Sequence, residues 1–421
     1  MATGIAILAG FVGLSLLGGY IFRIEKTLRY NTIYLQNKGH LSIYKKDGLQ
    51  KFTSRPSKFM ISPEQMTQLQ QIIAKYNEDI EWVGQTLTGT GLLSNGERSI
   101  PFSALGLDSV SLMKTRIHPK VAAWAKDLMT VDGQAFIDQL RQNPIAISAT
   151  NRVIEVIQTK EQSIASGNEL EKLPEGLAVQ LAGKTVYRDL NAVDAQILTS
   201  HTTGYQLSDD SSIMTEISLL QNLYATEGVQ NLTIFLKNDG AIDRVQRKIR
   251  NEFEAANLPF EIFSYNNPDI SSSYVGTMGF LYVMSGFFIF LISTAVVLSI
   301  LNSLTMNILE RIREIGTLRA LGYSQGKICW MMTQESICLT LICQALGVVL
   351  TVIVSQVIHR MNIRFNPPGL SKDIQFDLSP NAFVFLILCL FLLVIISGFS
   401  YWMTYFQSRK QITELLASTG A

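Results

Sequence analysis

Four apolar stretches punctuate this chain. The first, Ile5 to Phe22 (IAILAGFVGLSLLGGYIF), covers eighteen residues. The other three lie in the last third: FLYVMSGFFIFLISTAVVLSIL from Phe280, ICWMMTQESICLTLICQALGVVLTVIV from Ile328, and a run from Ala382 to Phe406. A helix needs about 17–25 mostly apolar residues to cross roughly 30 Å of hydrocarbon. The pattern therefore predicts four transmembrane helices, over 4–22, 275–305, 328–358 and 381–406. A signal peptide would carry a basic leader and a small-residue cleavage site. The first stretch has neither, and it is read as a retained span.

Between the first two spans, residues 23–274 have ordinary polar texture and hold no run long enough to cross a membrane. Ser62-Pro63-Glu64-Gln65 is a capping box with proline at the first helical position, and Ile61 and Met66 supply a hydrophobic staple. Met66, Leu69, Ile73 and Tyr76 continue one apolar face, which predicts a helix to about Asn77. Strand-like stretches flank it, Leu41 to Tyr44 before and Ile80 to Val83 after.

The same order returns later: a strand at Leu232 to Leu236, a helix face at Ile242, Val245, Ile249 and Phe253, and a strand at Phe260 to Phe263. Two such units at opposite ends of one domain predict a discontinuous α/β subdomain, over about 38–98 and 228–268. The intervening stretch, about 99–227, is expected to form a second, more strand-rich subdomain. The predicted fold is thus an α-helical membrane protein of four spans, with a large α/β domain of two subdomains inserted between spans 1 and 2.

Residues 306–327 break the apolar pattern between the second and third spans. Glu310, Arg311, Arg313, Glu314 and Arg319 share a helical reading with Ile308, Ile312, Ile315 and Leu318, so this surface turn has a wet face and a dry one. Gly322 suits a left-handed helix end, and Ser324 suits the cap of the next helix. By composition alone, this is a solvated connector.

A longer pattern gives it a role. Glu314-Ile315-Gly316-Thr317-Leu318-Arg319-Ala320-Leu321-Gly322, with Arg311 and Arg313 ahead of it, resembles the signature of the FtsX-like permeases, the MacB/LolC/FtsX superfamily of ABC transporters. Asn366-Pro367-Pro368-Gly369, in the 359–380 hairpin, resembles a second element of that family. The size and layout of residues 23–274 resemble a MacB-type periplasmic domain.

The resemblance implies an inner-membrane permease subunit of a bacterial cell, with the amino terminus, the 306–327 loop and the 407–421 tail in the cytoplasm. Glu310, Arg311, Arg313, Glu314, Gly316, Leu318, Arg319, Ala320, Leu321 and Gly322 would contact a separate ABC ATPase dimer, which would bind the ATP and Mg. Further implied partners are a second permease chain, the same or similar, and a periplasmic adaptor, chaperone or hydrolase. The chain would itself be no enzyme and hold no cofactor. It would couple ATP hydrolysis to movement of the periplasmic domain, which handles a lipoprotein, lipid, peptide or drug-like substrate. Two other classes stay open: a signalling subunit that activates a periplasmic cell-wall hydrolase, and a membrane-anchored enzyme. The family carries a basic amphipathic segment ahead of its first span, and none precedes Ile5; the start lies upstream or this member is shortened.

Composition narrows the picture further. With 47% hydrophobic residues, a net charge of +1 and a mean hydropathy of +0.21, the 421-residue chain suits membrane spans joined to a large wet domain. No basic patch with interleaved aromatics points to nucleic acid. Arg311, Arg313, Arg319, Lys327, Arg409 and Lys410 on one side nearly balance Arg23, Lys26, Arg29, Lys38, Arg360, Arg364 and Lys372 on the other, so charge bias does not orient the spans.

The four cysteines all fall in apolar runs, which argues against a disulfide framework or a zinc site. Gly183-Lys184-Thr185 lacks the upstream glycine of a phosphate loop, because Ala178 stands there. His40, His118, His201 and His359 read as scattered, satisfied histidines. The spans lack mid-depth acids or histidines for a proton path. Small residues such as Gly286, Gly347 and Gly398 are candidates for close helix packing.

Overall fold

A computed structural model describes residues 2–141, 143–158, 176–366 and 370–408. The chain divides into two compact units: Met1–Glu25, Gly279–Arg364 and Gln375–Ala421 in one, Lys26–Met278 and Phe365–Ile374 in the other. Among the described residues, four helices are long and apolar enough to cross a membrane. They are α1 (Ala2–Tyr30), α2 (Ser272–Glu310), α4 (Gln325–Met361) and α5 (Ala382–Ser408), with the short α3 (Ile312–Ala320) between α2 and α4. Each long helix contains its predicted apolar run. Most overshoot it, since polar residues continue a helix once it is nucleated.

In the membrane unit α4 and α5 pack extensively on each other, and α1 approaches α2 and α4 closely at glycines. A Cβ on Gly10 would lie 2.3 Å from Val296 Cγ1 of α2, and one on Gly347 of α4 would lie 2.6 Å from Phe11 Cδ1. Ile7, Phe11, Ile300, Leu304, Cys343, Leu392 and Ile396 form the buried centre. Between α4 and α5, Ser336 and Ser400 share a hydroxyl hydrogen bond of 2.9 Å, and Gln344 Nε2 donates to the Cys389 carbonyl at 3.2 Å. Gly286 and Gly398 have nothing within 4 Å of a notional Cβ, so of the three glycines named from sequence only Gly347 serves packing. Gly10→Leu is expected to force α1 off α2 and destabilise the bundle by about 1–3 kcal/mol or more, read as a lower melting temperature in detergent.

The second unit is built on a nine-stranded mixed sheet ordered β3-β7-β4-β6-β5-β2-β8-β1-β9. The strands are β1 (Leu41–Lys45), β2 (Ile80–Ser94), β3 (Ser99–Leu107), β4 (Ala146–Thr150), β5 (Leu177–Lys184), β6 (Leu190–His201), β7 (Ser212–Glu216), β8 (Asn231–Leu236) and β9 (Phe260–Ser264). The two strand-helix-strand units meet: β1 lies between β8 and β9, and β2 pairs with β8 from Ile80 to Thr86. The predicted capping box forms, with Ser62 Oγ accepting from Gln65 N and Gln65 Oε1 accepting from Ser62 N. The helix faces at Leu69 and Ile73 and at Val245, Ile249 and Phe253 are buried in the main apolar cluster.

Residues 99–227 supply β3 to β7, and these strands hydrogen-bond into the same sheet. The fifteen-residue β2 makes this possible. Its first half pairs with β8 and its second half with β3 and β5. The main apolar cluster accordingly runs from Leu41 and Ile262 through to Ile147 and Ile213.

Candidate functional site

The charged turn between the second and third spans forms a compact structure. Helix α2 runs to Glu310, Arg311 interrupts it, and α3 follows. Gly322 sits at φ +89°, where a side chain would be strained. Tyr323 N donates to Leu318 O and Gly322 N donates to Arg319 O, which closes α3 in a Schellman motif. Ser324 takes the cap position of α4 through its backbone, and its hydroxyl makes no cap hydrogen bond.

The dry face of α3 is well anchored. Ile308, Ile315, Ile328 and Met332 form a buried cluster, with Leu318 and Met403 packed against it. Arg311 bridges Glu314 at 3.1 Å and reaches Glu335 of α4. Arg319 Nη1 and Gln325 Nε2 both donate to the Ser408 carbonyl, at the end of α5. The last carbonyls of a helix lack intrahelical donors and carry partial negative charge, so a guanidinium there satisfies both.

The ten loop residues named from sequence therefore divide. Gly316 is buried, Leu318 and Arg319 are half-buried against α4 and α5, and Arg311 is engaged by Glu314 and Glu335. Glu310, Arg313, Glu314, Ala320, Leu321 and Gly322 face outward, and Leu321 is 71% exposed with Tyr323 beside it at 52%. Acid, base and apolar groups thus share one exposed surface. Pro367, Pro368 and Gly369 lie outside the described residues.

The α/β unit holds a second polar centre that has no local signature in the sequence. Asp239 opens the short turn after β8. Its Oδ1 accepts from Lys120 Nζ at 2.7 Å and from His40 Nε2 at 3.3 Å; its Oδ2 accepts from Tyr30 Oη at 2.8 Å and pairs with Arg29 at 3.7 Å. His40 Nδ1 accepts from Leu236 N, so its proton is on Nε2 and points at Asp239. Desolvation pushes the Asp239 carboxyl upward, but hydrogen bonds from His40, Lys120 and Tyr30 outweigh it and hold the group well below the usual carboxylate range. Beside this centre Tyr34 stacks on His118 at 4.2 Å and on Phe235 at 5.6 Å, and Phe235 stacks on Trp82 at 4.2 Å.

His201 is enclosed between Ser148, at 2.8 Å from Nδ1, and Ser212, at 3.2 Å from Nε2. Burial, reinforced by the Arg116 cation, pulls its pKa down to about 3. Since the folded chain binds this proton more weakly than the unfolded one, stability from His201 is complete above about pH 6.5 and is lost as the pH falls towards about 3. His201→Gln is expected to flatten the acid limb of a melting-temperature-against-pH curve. Among the described residues no group of three or more His, Cys, Asp or Glu side chains could hold a metal ion.

These elements define a polytopic membrane protein with a large α/β insert after its first span and an anchored charged helix between its second and third. Residues 286–412 match the family model described as FtsX-like permease C-terminal, so this part of the chain is an FtsX-like permease domain. It is 26% identical over 198 residues to an uncharacterised ABC transporter permease of Methanocaldococcus jannaschii, a match covering 45% of this chain and 47% of that protein. The chain thus spans about half the length of that relative.

Two solved structures are similar to the chain at 11% identity and a TM-score of 0.31. One is the extracellular domain of the noncanonical ABC-type transporter YknZ from Gram-positive bacteria, covering 53% of this chain and 99% of that one. The other is the periplasmic region of MacB from Actinobacillus actinomycetemcomitans, covering 54% of this chain and 88% of that one.

Proposed function

We propose that this chain is the permease subunit of an ABC system whose ATPase is a separate cytoplasmic polypeptide, and that it transmits motion rather than conducting a solute through its spans. The ATPase docks on the outward face of α3, at Glu310, Arg313, Glu314, Leu321 and Tyr323. Its cycle displaces α3 with the spans, and α1 and α2 deliver the displacement to the α/β unit outside the inner membrane. That unit, read as two subdomains sharing one sheet through β2, handles lipoprotein, lipid, peptide or drug-like substrate with an adaptor or chaperone. A second permease chain completes the assembly.

The observation that carries this reading is the fixing of α3. Its dry face is buried against α2, α4 and α5, and Arg319 ties it to the Ser408 carbonyl, so a push on its wet face reaches the bundle. A solvated connector has no need of such anchoring.

Affinity capture of the full chain from its native membrane, with mass spectrometry of what accompanies it, tests the proposal. An ABC ATPase is the expected companion, and its absence would overturn the reading. Arg313→Glu, which reverses one exposed charge and touches none of the buried cluster, is expected to weaken ATPase capture about tenfold, or roughly 1.4 kcal/mol, with the melting temperature unchanged.

A further inference from the structure

The end of helix α1 is fastened into the α/β unit by stacking, hydrogen bonds and an ion pair. Helix α1 runs without a break to Tyr30 and passes into a π-helical turn, Asn31–Leu35, whose five residues are all buried. Such turns are rare and are often found at functional sites. Asn31 Nδ2 and Gln36 Nε2 both donate to the Thr203 carbonyl, at 3.1 and 2.9 Å. Tyr34 is stacked among His118, Phe235 and Trp82.

Asp239 adds the electrostatic fastening. One carboxylate gathers the last turn of α1 through Arg29 and Tyr30, the approach to β1 through His40, and the inserted helix Pro119–Trp124 through Lys120. Lys120 Nζ also lies 5.6 Å from the centre of the Tyr30 ring. The carboxylate side chain is 18% exposed, which leaves these charges little screening by water. The end of α1, the approach to β1 and the helix Pro119–Trp124 thus share a single anion on the turn after β8, and its loss removes a fastening common to all of them.

We propose that Asp239 is a positioning residue for mechanical coupling: it locks the outer end of the first span to the sheet, so that displacement of α1 reaches the α/β unit as rigid movement. This rests on the motion-transmitting function proposed above. Packing alone would hold the unit folded; the hub's added role is to remove play between α1 and β8.

The test uses the full chain with its co-purifying ATPase in lipid nanodiscs. Spin labels are placed at Lys248 and Arg360, on a background in which the four native cysteines are replaced, and their separation is measured with and without ATP. Wild type is expected to show a nucleotide-dependent shift. Asp239→Ala is expected to lower the melting temperature yet remain folded at the assay temperature and keep the ATPase rate within twofold, while the shift falls to less than a third. Asp239→Glu, which retains the anion, is expected to restore at least half of it.

A full shift in Asp239→Ala would overturn the role given to Asp239 alone. A wild-type complex that hydrolyses ATP with no shift would overturn the motion-transmitting reading itself. Where Asp239→Ala does not fold, Tyr30→Phe, which removes one hydrogen bond, takes its place: a reduced shift supports the proposal and an unchanged one overturns it.

Discussion

Replacing Ile315 by asparagine is expected to detach α3 and abolish coupling to the ATPase while the four spans stay assembled. Ile315 is fully buried, among Ile308, Ile328 and Met332. Burying an isoleucine side chain is worth about 1.5–3 kcal/mol, and an amide left without partners in that setting costs about 1–3 kcal/mol more. The nine residues of α3 cannot absorb such a loss, because isolated helices below about 12–15 residues are marginal in water. The chain supplies its own reporter. Cys329 is fully buried next to Ile328, and its rate of maleimide labelling, followed peptide by peptide, should rise at least tenfold in the variant. Thr317→Asn, on the exposed face of the same helix, should leave labelling at the wild-type rate. Slow labelling of Cys329 in Ile315→Asn would show that the cluster does not hold α3.

Phe235→Ala carries the largest expected effect in the α/β unit, about 3–5 kcal/mol of destabilisation. Phe235 is fully buried in β8, with Trp82 stacked on it at an interplanar angle of 14° and Tyr34 at 24°. Its removal leaves a cavity between β2, β8 and the π-helical turn, and forfeits two ring contacts worth about 0.5–1.5 kcal/mol each. Melting of the full chain in detergent, followed by near-ultraviolet circular dichroism, should show the α/β transition shifted down by several degrees. Leu190→Ala is the control, because Leu190 is 84% exposed, and it should leave that transition in place.

Much of this molecule is legible along the chain. Ser62 and Gln65 build their capping box, Gly322 takes its left-handed turn, and the strands at Leu41, Ile80, Leu232 and Phe260 form where alternation and punctuation place them. These features depend on neighbours within a few residues, so local sequence carries them. The outer face of the charged turn could be assigned for the same reason: a helical period separates Glu310, Arg313 and Glu314 from Ile312 and Ile315.

Other features were hidden because their partners are remote. Arg319 looks from sequence like one more surface cation, yet it finds a carbonyl 89 positions away in the chain. His40 and Asp239 are 199 residues apart, and neither neighbourhood carries a recognisable pattern. Gly10 is inconspicuous inside its apolar run, whereas Gly286 and Gly398 look like packing glycines in sequence and have nothing within 4 Å of a notional Cβ. Spacing along one helix cannot tell which face meets another helix.

Sequence by itself thus determined the four spans, the large insert after the first, the strand-helix-strand units and the charged turn with its family signature. Each rests on hydropathy, period or capping chemistry, which act over one element. Tertiary structure alone decided that residues 99–227 extend one sheet through a long β2, that α3 is tied to α4 and α5, and that Asp239 joins the end of the first span to the approach to β1 and to the helix Pro119–Trp124. The physical reason is common to all three. Long-range pairing is selected by the fit of whole surfaces and by buried charges seeking partners, and no short window of sequence contains both sides of such a contact.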